Sequence, residues 1–555
     1  MPEEKEPPKP IPIPDDFPFT WEDPSDAEQT WERESTHSPQ PAPALAHDFW
    51  QIVFGGMKRA SEYWGGPRRP LARNINTYLY MSHLLVVDEE EVEAADERAK
   101  KAAVAAGVRL KAVWDEEAFP AIQDHIQFWD GFDLTTAMTS DLILHIEQSW
   151  ERLSQIWQLH FRLGSMGWRT VDTFNELYKE LFEEKGAETK PDPFQRLKLT
   201  QGFPCKTTEM GSALWRLVRQ ADEKTKDLLT SIDPSKARDA LDGTGHGQDF
   251  LKVLSLYLEQ YGHRGRHWGI EHPTWIEDPA PVFETVKSYL ANPDKDPDLN
   301  FEAQATEREE AVGELRERLQ GYPEAVRNRF EELLGVAQFC SILKEDHNFW
   351  IDFSCTCRIR RVMLEAGRRL ATMNVLDTVD EVFHLQLDEC IQSLSDPNGC
   401  DRRQDVADRR AEIERFAKVT PPPRLGVEPP AEPKDEPEKP EEPPEPGTLK
   451  GRPGSPGSIR GSARIIGNPL EASHVEPGDI IVAGATAPSF TPFFAIAGGI
   501  VTEAGGLLSH CAIVAREYRI PAVVGVEEAR HKISDGQLIE IDGTEGTVRL
   551  VDPTD

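Results

Sequence analysis

Hydrophobic residues in the middle of the chain recur at three- and four-residue intervals, which is the spacing of one face of an α-helix. The clearest such stripe consists of Leu142, Ile146, Trp150, Leu153 and Trp157. A second helical pattern covers residues 302–334, where charged residues alternate around Val312, Leu315 and Leu319. Both patterns predict amphipathic helices that bury one face against a core.

These helical patterns predict a large, mainly α-helical domain over residues 45–415. Residues 1–44 are expected to form an extended, partly disordered segment. Tryptophan is more often a core residue than a pocket residue, so we expect Trp150, Trp157 and Trp168 to be buried. A helical domain rich in Trp and Phe also has the composition of a mostly apolar cavity for an organic molecule.

The composition changes abruptly between Thr420 and Lys450, where eleven prolines are interspersed with acidic residues. Such a segment cannot pack as a core. It favours an extended polyproline conformation, in which about thirty residues span up to about 90 Å. Most segments of this kind are passive spacers. The sequence therefore predicts a Pro/Glu-rich linker over residues 416–458, ahead of a C-terminal domain over residues 459–555.

The C-terminal domain contains a short motif of turn-forming, hydroxyl and imidazole residues. Gly505 and Gly506 follow an apolar strand pattern, and Ser509 and His510 open an apolar helix. Glycine permits a sharp turn, serine can cap the helix, and the unpaired amides of a first helical turn favour an anion. A phosphate carried on His510 would be stabilised there. The same short motif also fits an ordinary strand-to-helix turn.

Further segments around this motif form a wider pattern. They lie at residues 478–483, 491–494, 520–525, 533–536 and 539–548. From about residue 461 to residue 551 the sequence resembles the mobile phosphohistidine domain of phosphoenolpyruvate-utilising enzymes, among them phosphoenolpyruvate synthase and rifampin phosphotransferase. The resemblance implies an α/β swivelling domain (β/β/α) in which His510 accepts a phosphoryl group. The other implied motif residues are Gly505, Gly506, Ser509 and Arg516.

Two positions beside the motif need separate comment. Many members of this family have a threonine immediately before the glycine pair, where this chain has Ala504. Regulatory phosphorylation at that position is therefore excluded. Cys511 directly follows the histidine, and we expect it to be a small, buried and inert residue rather than a second nucleophile.

The overall charge and the cysteines restrict the function further. The formal net charge of the 555 residues is −35, which opposes extended contact with nucleic acid or anionic lipid. The seven cysteines lack paired metal-ligand spacings, so we expect reduced thiols and no metal site. The N-terminus has no signal-peptide pattern and no apolar run reaches a membrane span, which favours a cytoplasmic protein.

Shorter patterns extend the resemblance to rifampin-phosphotransferase-like proteins through most of the chain. They lie at residues 19–24, 31–34, 37–41, 261–265, 273–279, 344–347, 360–361, 367–370 and 379–385. Full-length relatives also carry an ATP-grasp module, and dikinases carry a barrel for pyruvate or phosphoenolpyruvate. We find neither pattern in the sequence. We therefore expect a separate ATP-grasp protein to bind Mg²⁺ and ATP and to phosphorylate His510, an arrangement similar to that of phenylphosphate synthase.

The resemblance implies two successive phosphoryl transfers. His510 takes the β-phosphoryl group of ATP, with AMP and phosphate as by-products, and the domain then swings about the linker to a hydroxyl acceptor in the helical domain. The acceptor site needs a base and cations. The candidates for these roles are His263, Arg264, Arg266, His267, Lys344 and His347. The same side chains also suit structural salt bridges, and His37 is a weaker candidate.

Two other functions fit the sequence. The chain could be a non-catalytic binding or regulatory relative that has kept the family fold. It could also carry a phosphoryl group from phosphoenolpyruvate, supplied by a partner barrel. The acceptor is a small hydroxylated molecule, and the aromatic content of the helical domain favours a phenol or a hydrophobic alcohol without choosing between them.

Overall fold

The computed structural model describes residues 9–183, 194–294, 296–429, 447–467, 475–486, 491–494, 496–506 and 509–551. For residues 491, 492, 510 and 517 it describes the backbone alone. A mainly helical region is followed along the chain by a C-terminal region that contains most of the β-structure. This order agrees with the predicted fold class.

The α-helices of the described residues are α1 (Ala44–Trp64), α2 (Val92–Gly107), α3 (Leu110–Val113), α4 (Phe119–Asp130), α5 (Thr139–Tyr178), α6 (Gln195–Lys198), α7 (Lys206–Gln220), α8 (Glu223–Ser231), α9 (Ala237–Asp242), α10 (Gly245–Tyr261), α11 (Ala280–Ala291), α12 (Pro297–Leu319), α13 (Glu324–His347), α14 (Ser354–Thr372), α15 (Leu387–Ser395), α16 (Arg403–Phe416), α17 (Thr491–Phe494), α18 (His510–Glu517) and α19 (Ala529–Lys532). Short 3₁₀ turns lie at Pro24–Glu28, Glu89–Glu91, Pro234–Lys236 and Val379–His384, and π-helical turns at Trp114–Ala118, Lys179–Glu183 and Asn348–Phe353. Within the described part of the chain, every helix is too short or too polar to cross a lipid bilayer.

The strands are β1 (Thr30–Arg33), β2 (Arg68–Ile75), β3 (Tyr78–Leu85), β4 (Arg424–Gly426), β5 (Thr448–Lys450), β6 (Arg452–Ser455), β7 (Ser458–Ile466), β8 (Ile480–Ala483), β9 (Gly499–Thr502), β10 (Ala522–Val524), β11 (Leu538–Asp542) and β12 (Thr547–Leu550). They form a four-stranded sheet in the order β2-β3-β1-β4 and an eight-stranded sheet in the order β5-β12-β11-β7-β8-β9-β10-β6.

The chain divides into two compact units. Unit 1 consists of Met1–Thr170, Trp268–Glu271 and Trp350–Pro440, and unit 2 of Val171–His267, His272–Phe349 and Glu441–Asp555. The predicted helical domain over residues 45–415 is therefore shared between the two units, and the C-terminal sheet belongs to unit 2.

The N-terminal segment of unit 1 contributes one strand to a sheet. Strand β1 lies between β3 and β4, and the side chains of Phe17 and Trp31 are fully buried. The indole of Trp31 also donates a hydrogen bond of 2.8 Å to the carbonyl of Asp26. Aromatic residues from the predicted extended segment over residues 1–44 thus fill part of a core, and residues 1–8 of that segment lie outside the described residues.

Helix α5 supplies the long apolar stripe that the sequence predicts. The side chains of Leu142, Ile146, Trp150, Leu153 and Trp157 are all buried, which confirms the helical pattern. The prediction for Trp168 is wrong, because its side chain is 51% exposed. Its indole lies over Gly164, where an added Cβ would come within 2.7 Å of the ring. The ring therefore packs on its own helix rather than in the core.

The helical part of unit 2 has two apolar cores. The first is shared by α7, α10 and α11 and contains Leu214, Trp215, Phe250, Leu254, Val282 and Phe283, among others. The second contains Val312, Leu315, Leu319, Phe330 and Leu333. These last residues belong to α12 and α13, which end and begin around Pro323. The predicted pattern over residues 302–334 thus covers two helices, because proline cannot continue a helix.

Strands β7, β8, β9 and β10 of unit 2 run parallel to one another. Every residue of β8, β9 and β10 is buried, as expected for parallel strands covered on both faces. Along β8, Ile481 and Ala483 pack in the same core as α18, whereas Ile480 and Val482 face the core that includes α19. The period of two along the strands thus fixes which face receives α18.

The predicted linker over residues 416–458 contains part of this sheet. Residues 430–446 lie outside the described residues, so the polyproline prediction for them stays a prediction. Strands β4, β5 and β6 fall within the predicted linker, and β5 and β6 pair with β12 and β10. The C-terminal sheet therefore begins before the predicted boundary at residue 459.

Candidate functional site

The motif around His510 lies at the edge where the parallel strands end. The segments that leave β8, β9 and β10 meet there, because the amide of Ala504 donates to the carbonyl of Gly484 at 2.8 Å. The amide of Val526 likewise donates to the carbonyl of Thr502 at 2.9 Å. The carboxyl edge of parallel strands is the usual place for a functional site in such sheets.

Gly505 makes the sharp turn between β9 and α18. Its φ of +117° lies in the region that glycine tolerates and L-residues avoid. A Cβ at this position would also lie 3.0 Å from both the Cβ and the Oγ of Ser509. At Gly506 an added Cβ would meet Arg452 Nη1 at 3.9 Å, an ordinary distance. The backbone therefore demands glycine at residue 505 more strongly than at residue 506.

Ser509 caps helix α18, as the sequence predicts. Its φ of −65° and ψ of 155° are typical of a cap, and its hydroxyl accepts a hydrogen bond of 3.3 Å from the amide of Ala512. His510 is the first helical residue, so its backbone lies where unpaired amides favour an anion. The His510 imidazole lies outside the described side chains, and its predicted role stays a prediction.

Arg452 places a positive charge beside the glycine turn. It lies on β6 and is exposed. Its side chain runs close to Gly525 and Gly506, with carbon or nitrogen atoms 3.9 Å from where their Cβ atoms would be. The sequence analysis missed this residue because it assigned residues 416–458 to the linker. Only the pairing of β6 with β10 brings Arg452 to the motif.

Cys511 has the inert character that the sequence predicts. The residue is 2% exposed, and burial raises the pKa of its thiol to about 12 even though the hydroxyls of Thr486 and Thr502 act in the opposite direction. A thiol with such a pKa stays protonated at neutral pH and is a poor nucleophile.

Arg516 lies at the opposite end of α18 from His510, about 9 Å along the helix axis. Its guanidinium donates a hydrogen bond of 2.8 Å to the carbonyl of Gly454 on β6. Its own carbonyl accepts from Gln304 Nε2 on α12 at 3.1 Å. Arg516 therefore fastens α18 to the sheet and to the helical part of unit 2, and its predicted role in the phosphohistidine motif stays a prediction.

The four basic candidates at residues 263–267 have different surroundings. Arg264 is buried, with its guanidinium 5.3 Å from the ring centre of Trp275, and burial lowers its pKa. Arg266 forms a two-point ion pair with Glu284, with N···O distances of 2.5 and 3.3 Å. This pairing is the structural salt bridge that the sequence analysis gave as the alternative role.

The two histidines of the same segment lie against other rings. His263 is half-buried, with its ring edge-on to Phe349 at a centroid distance of 6.3 Å. The ring of His267 lies 4.2 Å from that of His272. These contacts orient the imidazoles but do not by themselves assign a chemical role to either.

Glu345 joins two candidates that lie far apart in the sequence. This buried carboxylate accepts a hydrogen bond of 2.7 Å from the hydroxyl of Thr207. Its charge acts on both Arg264 and Lys344. Burial lowers the pKa of Lys344, Glu345 opposes this effect, and the positive charge of Arg516 adds to it. Unit 2 thus brings Arg264 and Lys344 within the electrostatic reach of one carboxylate, and Arg516 of α18 acts on Lys344.

The remaining candidates lie elsewhere. His347 Nδ1 is 2.7 Å from the carbonyl of Leu343 in its own helix. In unit 1, His37 Nδ1 lies 3.0 Å from Glu34, and hydrogen bonding to this carboxylate raises the histidine pKa against the effect of burial. Cys355, half of the only Cys-x-Cys spacing in the sequence, donates to the carbonyl of Trp350, and burial raises its pKa to about 12.

Two stretches of the chain match known protein families. Residues 163–345 match the family described as "Rifampicin phosphotransferase fourth domain". Residues 475–546 match the family described as "PEP-utilising enzyme, mobile domain". The second stretch contains the glycine turn, the Ser509 cap and His510.

Curated relatives match over longer stretches. Chondramide synthase cmdD of Chondromyces crocatus is 34% identical over 567 residues, which cover 98% of this chain and 14% of that protein. The uncharacterized phosphotransferase YvkC of Bacillus subtilis (strain 168) is 29% identical over 62% of this chain and 42% of that protein. A rifampicin phosphotransferase of Streptomyces sviceus is 28% identical over 71% of this chain and 44% of that protein.

The chain spans less than half the length of each of these three relatives. Within that span, the two family matches follow the same order along the chain as the helical part of unit 2 and the C-terminal sheet. Over residues 475–546 the chain therefore matches the mobile domain of the PEP-utilising enzyme family, and over residues 163–345 it matches a domain of rifampicin phosphotransferase.

Proposed function

We propose that this chain is a phosphotransferase component that carries a phosphoryl group on His510. The donor is ATP bound with Mg²⁺ by a separate ATP-grasp protein, and the acceptor is a hydroxyl group of a small organic molecule. Relatives of the chain are named phosphotransferases, which supports this class of reaction.

The observation that carries the proposal is the geometry before α18. A turn that requires glycine at residue 505 delivers a capped helix whose first residue is His510, at the carboxyl edge of the parallel strands. The Arg452 side chain lies beside this turn, and the first turn of α18 begins at His510 with its backbone amides. Both would stabilise the negative charge of a phosphoryl group on the imidazole.

The first transfer needs a neutral imidazole. A ring nitrogen of His510 attacks the β-phosphorus of ATP, and the bond from that phosphorus to the oxygen of the α-phosphate breaks. AMP leaves, and water removes the terminal phosphate. The balance is ATP, water and an acceptor alcohol giving AMP, phosphate and the phosphorylated alcohol. The division into two steps lets the donor and acceptor sites be shaped separately.

The second transfer needs a base for the acceptor hydroxyl and cations for the moving phosphoryl charge. Lys344 suits the role of the base in part, because burial lowers its pKa towards the range in which an amine accepts protons. Arg264 keeps its charge and suits the role of a cation that stabilises the moving phosphoryl group. His263 and His347 remain further candidates for the base. Arg266 is the weakest of the set because Glu284 already pairs with it.

The test is a labelling experiment with the full chain. The chain is mixed with candidate ATP-grasp proteins, Mg²⁺ and ATP labelled in the β-phosphate. We expect a protein-bound phosphate that is lost in acid and kept in alkali. A panel of phenols and hydrophobic alcohols should then remove the label as a phosphate monoester.

The matched control is His531→Ala, because His531 is an exposed histidine on α19 of the same sheet region. His510→Ala should abolish the label and His531→Ala should keep it. Labelling from phosphoenolpyruvate but not from ATP would replace the donor in this proposal. No label from either donor with any partner would favour the non-catalytic binding protein.

A further inference from the structure

Unit 2 contains a cavity of about 410 Å³ that the proposed function does not use. Its walls come from α7, α10, α11 and the start of α12, and the turn after α18 contributes Tyr518 and Arg519. We call it the Tyr518 cavity. Its volume lies in the usual range for sites that bind small organic molecules.

The lining is mostly apolar and aromatic. Six of its apolar and aromatic residues are Met210, Leu214, Tyr257, Trp275, Val282 and Tyr289, and the lining also includes the charged residues Asp294, Asp296 and Arg519. All six apolar and aromatic residues are buried in the first core of the helical part of unit 2. The six buried residues favour a ring-containing, mostly apolar molecule, because such walls offer apolar and aromatic contacts.

Two lining residues have a buried polar atom without a hydrogen-bond partner in the described part of the chain. These atoms are Trp275 Nε1 and Ser288 Oγ, and the residues are 5% and 3% exposed. Buried polar groups are almost always paired, so each unpaired one needs an explanation. An indole N–H can only donate, and a serine hydroxyl can donate. A ligand oxygen that reached either group from the cavity would accept its hydrogen bond.

The cavity also couples two parts of unit 2. Tyr518 follows α18 directly and hydrogen-bonds to Tyr289 on α11. The neighbouring Arg516 carbonyl accepts from Gln304 on α12, and Arg519 Nη2 lies 4.0 Å from Glu307. A molecule in the cavity would therefore contact both the helices and the turn that follows the His510 helix.

We propose that the Tyr518 cavity binds a compact, mostly apolar organic molecule with a carbonyl, ether or hydroxyl oxygen. Bound there, the molecule holds the turn after α18 against α11 and α12. Because a ligand favours the arrangement that it contacts best, its presence would stabilise the docked position of the His510 helix. This site is distinct from His510, since Tyr518 lies about 12 Å farther along the helix axis.

The binding test uses the naphthyl ketone Prodan, whose fluorescence shifts to the blue in an apolar site. Gly211 lies on α7 and lines the cavity, and an added Cβ would meet Tyr289 Oη at 3.5 Å, an ordinary contact. Gly211→Leu should therefore fill the cavity without breaking the helix, since leucine is the better helix former. We expect a blue-shifted, saturable signal in the wild type and at least about tenfold weaker binding in Gly211→Leu.

The matched control is Gly313→Leu on α12. Gly313 is also helical but exposed, and it lies outside the cavity with open space around an added Cβ. Binding to Gly313→Leu should equal binding to the wild type. Equal binding to wild type and Gly211→Leu would overturn the proposal, because the probe would then lie elsewhere, and absence of a saturable signal in the wild type would overturn it as well.

The hydrogen-bond part has its own test. Acetylnaphthalene should displace Prodan more strongly than ethylnaphthalene, which has a similar shape but no oxygen. The difference should be about two- to tenfold, the value of one hydrogen bond, and it should shrink when Trp275→Phe and Ser288→Ala are combined. Equal displacement by both compounds would contradict the assignment of an oxygen-bearing ligand.

The docking part is measured by hydrogen exchange of the peptide that covers residues 516–520. Prodan should slow exchange in this peptide in the wild type, and unchanged exchange at saturating Prodan would refute the coupling. The binding, displacement and hydrogen-exchange measurements need neither nucleotide nor a partner protein. A failure here is therefore separate from any failure of phosphoryl transfer to His510.

Discussion

Gly505→Ala is the change that most directly tests the turn before α18. An alanine there must adopt a φ near +117°, which costs about 1–3 kcal/mol. Its Cβ would also lie 3.0 Å from the Cβ and Oγ of Ser509, so the cap must shift and lose about 1 kcal/mol more. Together these two effects destabilise the closed turn by roughly 2–4 kcal/mol, and the open turn does not carry this strain.

Hydrogen exchange of the peptide over residues 509–517 measures this opening. A cost of roughly 2–4 kcal/mol raises the exchange of its protected amides by roughly 30- to 700-fold. Gly506→Ala is the matched control, since its φ lies outside the left-handed region and its Cβ meets Arg452 only at 3.9 Å. We expect that control to exchange almost as slowly as the wild type. Equal exchange in the two variants would refute the claim that the turn requires glycine at residue 505.

Three further changes test other parts of the structure. Leu153→Ala should lower the free energy of unfolding, measured by denaturant titration, by about 2–5 kcal/mol because the Leu153 side chain is fully buried in the α5 stripe. Leu144→Ala is the control, since the Leu144 side chain is 53% exposed, and it should change that free energy by less than about 0.5 kcal/mol. Burial raises the pKa of the Asp346 carboxyl to about 6 from an ordinary 3.8, so the stability that this group contributes falls as the pH rises between these two values. Asp346→Asn should therefore be more stable than the wild type by up to about 3 kcal/mol at about pH 7 and by little at about pH 4. A stability advantage of Asp346→Asn that does not grow with pH would contradict the raised pKa. Arg516→Ala removes the hydrogen bond to the Gly454 carbonyl, so exchange at the end of α18 should rise by about tenfold while His510 still labels; loss of label would mean that Arg516 acts on the phosphoryl group itself.

The features that the sequence predicts well are those set by near neighbours. The α5 stripe repeats with the helical period over four turns, and the Ser509 cap and the turn at Gly505 involve residues within a few positions of each other. Local spacing determines all of these. The sequence order of helical region and C-terminal α/β region follows from the same local patterns.

The features that the sequence analysis missed depend on contacts between distant segments. Arg452 reaches the glycine turn only because β6 pairs with β10. The pairing of Arg266 with Glu284 and the gathering of Arg264 and Lys344 around Glu345 also join different helices or loops. The spacing of residue types along a single sequence does not reveal such long-range contacts. Burial of the N-terminal segment through Trp31 has the same origin, since its neighbours β3 and β4 are far away in the sequence.

The most direct test of the central claim is to locate the phosphate by mass spectrometry. The chain is labelled by ATP and an ATP-grasp partner, digested at alkaline pH and fragmented by electron transfer, which preserves phosphohistidine. We expect a single added phosphate on His510 and an unlabelled His510→Ala variant. Phosphate on another residue, or an equally labelled His510→Ala variant, would contradict the central claim.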